Sequence, residues 1–145
     1  MFRIVLLALL LPLSNGCAFY FMYQAHEFNA SIDSAVNEYH TRARLVHLGD
    51  PREKVLAVLP SQEGIPPQAK RSADAFTARN GDGQSNLVEI YYFRSARIPD
   101  GVTTDDEFTP YTFHDGVLTA IGWTALGGPK TAGKSQAADS IPISL

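Results

Sequence analysis

The stretch from Asn86 to Trp123 constrains the chain most, because nearly all of its strand-forming chemistry is concentrated there. It opens with Leu87-Val88-Glu89-Ile90-Tyr91-Tyr92-Phe93-Arg94, crosses an acidic loop, and ends in two apolar runs joined at Asp115-Gly116. β-branched and aromatic side chains suit a pleated surface, and Asp-Gly between apolar runs is a strong hairpin signal. The stretch predicts a small antiparallel sheet. With a two-residue turn, His114 faces Val117, Phe113 faces Leu118 and Tyr111 faces Ala120. One face then carries Tyr111, Phe113, Leu118 and Ala120; the other carries Thr112, His114, Val117, Thr119, Ile121 and Trp123. The long strand divides likewise, into Leu87, Tyr91 and Phe93 against Val88, Ile90 and Tyr92.

Two helices are expected to cover the first face. Ile32, Ala35, Val36, Tyr39, Ala43, Val46 and His47 recur at spacings that fit one helical stripe, with Ser31 or Asp33 as the cap and Gly49 as the stop. Asp50-Pro51-Arg52-Glu53 opens a second helix with the pattern of a capping box, and Pro60 ends it. Ser61 to Gln68 is a loop, Ala73 to Ala78 an edge strand around Phe76, and Asn80-Gly81-Asp82-Gly83 a turn. The expected fold class is therefore α+β, two short helices on one face of a three- to four-stranded antiparallel sheet. That domain spans 31–127, after a linker at 18–30 and before a tail at 128–145 whose Ala, Ser and Gly content predicts disorder.

Two helices this short cannot cover both faces of a sheet that is apolar on each. Ile90, Tyr92, Ile121 and Trp123 on the second face are thus a candidate partner surface, unless the linker or the Ile141-to-Leu145 tail folds over them. Under the partner reading, removing the Trp123 side chain weakens association more than stability.

The amino terminus places the domain. Arg3 is followed by the apolar run Ile4 to Leu13, then by Ser14-Asn15-Gly16-Cys17. This has the layout of a bacterial lipoprotein signal (residues 1–17) with Cys17 as the lipid-attachment residue, although lipoboxes usually place Leu where Ser14 stands. Residues 4–23 are also apolar enough for an uncleaved transmembrane anchor, and a conventional secretory signal is the third alternative. Each puts the domain outside the cytosol. Cys17 is the single cysteine, which rules out an intrachain disulfide framework. A net charge of -3 with 19% charged residues gives no polybasic footprint, so no nucleic-acid partner is expected.

No catalytic set stands out. His26, His40, His47 and His114 lack metal-protease spacing, and no nucleophile elbow or phosphate loop occurs. The acidic loop residues Asp100, Asp105, Asp106 and Glu107 offer hard oxygens, but not at EF-hand spacing. Two readings stay open: a calcium-type site, or carboxylates that pair with Arg94 and Arg97 to fix the loop. The expected assignment is no metal and no cofactor.

Tyr91-Tyr92-Phe93-Arg94, the run Asp100-Gly101-Val102-Thr103-Thr104-Asp105-Asp106-Glu107-Phe108-Thr109-Pro110, Phe113-His114-Asp115-Gly116 and Ile121-Gly122-Trp123 together resemble a family of small proteobacterial envelope proteins of unassigned activity. Leu48-Gly49-Asp50-Pro51-Arg52-Glu53-Lys54-Val55-Leu56 is similar to the helix opening of the wider BamE (SmpA/OmlA) lipoprotein superfamily. The resemblance covers roughly residues 35–125. It implies two helices on a three- or four-stranded sheet, tethered to an inner or outer membrane and facing the periplasm. Relatives carry cysteine at Phe108 and methionine at Asp50, and the first departure removes any redox role at that loop. BamE is an accessory subunit of the outer-membrane β-barrel assembly machine. The expected function is a membrane-tethered, non-enzymatic envelope lipoprotein acting through a protein partner, possible roles including envelope assembly. The alternative is a periplasmic enzyme or a small-ligand or metal-binding protein using loop 100–107.

Overall fold

A computed structural model of the chain describes residues 22–79, 81 and 83–134, and gives its first helix, α1, the bounds Phe2–Arg42. The order of elements is α1, α2 (Arg52–Val58), then strands β1 (Asp74–Arg79), β2 (Ser85–Arg94), β3 (Phe108–His114) and β4 (Val117–Ile121). The strands form one antiparallel sheet in sequence order. The chain is α+β, as its patterning implies.

Of residues 18–30, expected as a linker, those described (22–30) belong to α1. No glycine or proline interrupts them. The Ser31 hydroxyl donates back to the Phe28 carbonyl at 2.8 Å and so does not cap a new helix. The expected apolar stripe holds within the helix, where Ile32 and Tyr39 are buried with Ala35 and Val36 packed beside them; Ala43 and Val46 also pack inward but lie beyond the helix, and His47 is exposed. The helix stops at Arg42, before a 3₁₀ turn over Ala43–Leu45, earlier than Gly49. Gly49 does adopt positive φ (89°), within the turn that follows. Asp50 is not the cap of α2; that position is Pro51. The Asp50 carboxylate instead accepts from the His47 amide at 2.9 Å and the Lys54 ammonium at 2.6 Å.

Val55 from α2, Leu59 just after it and Tyr39 from α1 pack on Phe93, Tyr111, Phe113 and Leu118. Each fully buried side chain of this kind contributes roughly 1.5–3 kcal/mol. Edge-to-face contacts lock the rings, Phe93 on Tyr111 at 5.3 Å and Tyr91 on Phe113 at 5.7 Å. The Tyr39 and Tyr111 hydroxyls meet at 3.1 Å, and burial pushes the Tyr111 phenol far above its ordinary pKa.

The β3–β4 hairpin turns at Asp115 and Gly116, with φ of 49° and 78°, as a type I′ turn requires. His114 pairs with Val117 and Phe113 with Leu118, as expected. A bulge between Thr112 and Phe113 then shifts the register, so Thr112 faces Ala120 and Tyr111 faces Ile121. One extra residue exchanges the faces beyond it. Ile121 therefore lies beside Tyr111 on the helix side of the sheet, and not on the second face.

The two sheet edges are treated differently. The outer side of β4 is closed by residues 49–52: Gly49 N donates to Leu118 O, Leu118 N to Asp50 O, and Arg52 N to Gly116 O, at 2.8–2.9 Å. Among the described residues nothing pairs with the outer side of β1, and Asp74 to Thr77 and Arg79 are exposed.

Candidate functional site

Two regions were singled out by sequence: the second sheet face and the acidic loop. On the second face Ile90 and Tyr92 are buried, at 5% and 3% exposure, by the chain's own residues. After β4 the chain makes a 3₁₀ turn over Trp123–Leu126, and Trp123 and Leu126 pack on Val88, Ile90, Tyr92 and Phe108. The Trp123 indole lies 5.7 Å from the Tyr92 ring and its Nε1–H donates to the Phe108 carbonyl at 2.7 Å. Neither Ile90 nor Tyr92 can take part in a partner surface, and Trp123 is a half-buried lid over them. The apolar side chains left exposed on that face are Phe76 (51%) and Val117 (44%), at opposite ends of the cross-strand row Phe76–Val88–His114–Val117. Ile121 is 40% exposed, on the opposite face.

The lid is reinforced by Arg71, which sequence reading passed over. Its guanidinium stacks over Tyr92 at 4.0 Å and reaches Trp123 at 5.2 Å, while pairing with Asp105. The Tyr92 hydroxyl donates to Asp74 at 2.7 Å. Burial, and then that bond to a carboxylate, hold the Tyr92 phenol above its ordinary range.

The acidic loop is a structural knot. Residues Asp105–Glu107 form a 3₁₀ turn closed by a reciprocal capping box between Thr104 and Glu107. Glu107 is fully buried and accepts from the Arg94 guanidinium at 2.6 Å, the Ile98 amide at 2.8 Å and the Thr104 amide at 3.0 Å. Arg94, buried beside it, also donates to the Ala69 carbonyl at 3.0 Å. Burial lowers the Arg94 pKa, and the Glu107 charge works against that shift. Among the described residues its Nε–H has no acceptor, and the guanidinium lies 5.3 Å from the Phe108 ring. Of the two expected pairings, Arg94 meets the loop carboxylates; Arg97 instead reaches Asp33 at 2.7 Å and Asn29 at 3.0 Å on α1.

The other three carboxylates hold the chain's last described segment. Asp100 accepts the Lys134 amide at 2.8 Å and the Val102 amide at 2.9 Å. Asp105 accepts the Lys130 and Thr131 amides, and Asp106 accepts Gly133 N at 3.1 Å with both oxygens. Backbone donors from Val102 and Lys134 hold the Asp100 carboxyl below the usual carboxylate range. Residues 130–134 are thus a strap across the loop, where a disordered tail was expected; residues 135–145 lie outside the described residues. With its oxygens engaged by backbone amides and by the Arg71 and Arg94 guanidinium groups, the loop does not bring its carboxylates together as a hard-cation cage. Among the described residues no three His, Cys, Asp or Glu side chains converge to hold a metal ion.

One cleft of about 580 Å³ lies between α1 and the loop, walled by Phe28, Ile32, Ile98 and Val102 and floored by Arg94 and Glu107. Among the described residues no helix is long and apolar enough to cross a membrane. The apolar stretch 4–21, with the signal reading of 1–17 and the lipidation reading of Cys17, lies outside them. No family model, curated protein or solved structure matches the chain, so the likeness to the BamE superfamily rests on the quoted residues alone.

Proposed function

We propose that this chain is a membrane-tethered, non-enzymatic module of a bacterial envelope, BamE-like in character, that works by taking an extended segment of a partner protein onto the open edge of its sheet. The observation that carries this reading is the contrast between the edges. Residues 49–52 close β4 with backbone hydrogen bonds, whereas β1 presents an exposed row of backbone groups with Phe76 standing out from it. Unpaired edges invite strand addition, and natural sheets ordinarily blunt or cover them. Strand addition draws affinity from main-chain hydrogen bonds and specificity from pockets for alternate side chains.

The tether is supported by α1. From Met22 to Glu27 the helix is exposed, with Met22 at 70% and Tyr23 at 62%, and Phe28 packs on the cluster of Ile32, Ile65 and Ala69. A helix that continues the apolar amino-terminal sequence and leaves the domain in this way suits a stalk above a bilayer, held by lipid on Cys17 or by residues 4–23.

Phe76→Lys tests the edge. An exposed site of this kind changes stability by no more than about 0.5 kcal/mol. Partner co-isolated with the tethered chain should fall sharply while the melting temperature stays put. Undiminished association would remove β1 from the interface.

A further inference from the structure

The cleft beside α1 has apolar walls that the described residues leave uncovered: Val102 is 60% exposed, and Phe28 and Ile98 are half-buried. The strap delivers the chain to its rim. Gly133 N is held by Asp106, and its Cα lies so close to Ile98 that a Cβ there would meet the Ile98 side chain at 2.6–3.1 Å. Lys134 N is then fixed on Asp100, whose chain neighbours Pro99 and Gly101 both line the cleft. The sequence that continues from this point, 135–145, is small and polar up to Ser140 and then reads Ile141-Pro142-Ile143-Ser144-Leu145.

We infer that this cleft is the docking site of the chain's own residues 141–145. Proline fixes its own φ and biases the residue before it toward extended backbone, so the cost of ordering Ile141-Pro142-Ile143 is reduced in advance. In an extended run, positions 141, 143 and 145 fall on one side, and all three are branched apolar residues. That edge matches the walls formed by Phe28, Ile32, Ile98 and Val102. Six residues, 135–140, separate the anchored Lys134 from the apolar run and reach roughly 20 Å at ~3.3–3.6 Å per residue. A tether this short supplies an effective concentration on the order of millimolar, so a weak apolar contact suffices for occupancy. Docking would cover Ile98 and Val102 and lock α1 to loop 97–103, beside the Arg97–Asp33 pair that already joins them. This inference is independent of the partner and of the membrane tether.

The test uses the full chain in lipid nanodiscs with isotope-labelled Ile, Leu and Val methyl groups. Cross-peaks are expected from the Ile98 and Val102 methyls to those of Ile141, Ile143 and Leu145. The combined substitution Ile141→Ser, Ile143→Ser and Leu145→Ser should abolish them and shift the Ile98 and Val102 methyl resonances. Unmoved amide resonances of Thr131 and Gly133 would report an intact strap in that variant. Adding a synthetic peptide of residues 135–145 should return the methyl resonances toward their original positions, and a scrambled peptide should not. Absent cross-peaks with Ile98 and Val102 unmoved by the substitutions overturn the inference. Cross-peaks that arise only between differently labelled copies overturn it too, because the segment then occupies a second molecule.

Discussion

At the scale of single residues, the Arg94–Glu107 pair governs the loop end of the sheet. Both side chains are buried, at 3% and 0% exposure, so water cannot solvate either charge if its partner is lost. Removing one member of a buried pair costs about 3–5 kcal/mol, whereas replacing both by apolar groups of similar volume is often neutral. Glu107→Leu should therefore lower the unfolding free energy by about 3–5 kcal/mol in urea denaturation, and Arg94→Met with Glu107→Leu should recover much of that loss. The recovery will be incomplete, because Glu107 also accepts the Ile98 and Thr104 amides. Trp123 behaves as a core residue at this scale. Its contacts with Tyr92, Arg71 and the Phe108 carbonyl make Trp123→Ala destabilising by about 2–3 kcal/mol, below the ~3–5 of a fully buried aromatic. A thermal melt should show that loss while association with a partner persists, the opposite of what the strand pattern suggests.

At the scale of elements, the strap and the acidic loop form one pH-sensitive unit. Bonds from the Lys134 and Val102 amides favour the charged form of Asp100 and so depress its folded-state pKa below the unfolded value. A depressed carboxylate stabilises above its unfolded pKa and loses that contribution as pH falls through the folded pKa. The Lys134 amide, measured by hydrogen exchange relative to its intrinsic rate, should thus be protected at neutral pH and lose protection below the ordinary carboxylate range. Asp100→Ala should remove the protection at every pH. The elements themselves were largely legible in the sequence. Period-two runs and Asp115-Gly116 marked β2 to β4, the apolar stripe marked the buried side of α1, and Pro60 marked the end of α2. What escaped were effects with no local signature. The bulge at Thr112 moved Ile121 to the other face, and the turn at Trp123–Leu126 provided a cover that helix counting omits. The Arg94 pairing with the loop was expected, but Arg71 and the amides of 130–134 claimed the remaining carboxylates from far along the chain, and neither spacing nor composition reveals such partners.

At the scale of the whole molecule, the described residues cover one sheet face, part of the other and one of the two sheet edges, and leave the outer side of β1 unpaired. The helices take one face, the Trp123 turn and Arg71 take half of the other, and residues 49–52 take β4. The β1 edge and Phe76 are therefore the place where the proposed association should register. Site-specific photocrosslinking in living cells tests this most directly, with the crosslinker placed at Phe76 or, for comparison, at the exposed His40 on α1. The expected result is a discrete adduct in the membrane fraction from position 76 and none from position 40. No adduct from position 76, or equal adducts from both, would contradict it.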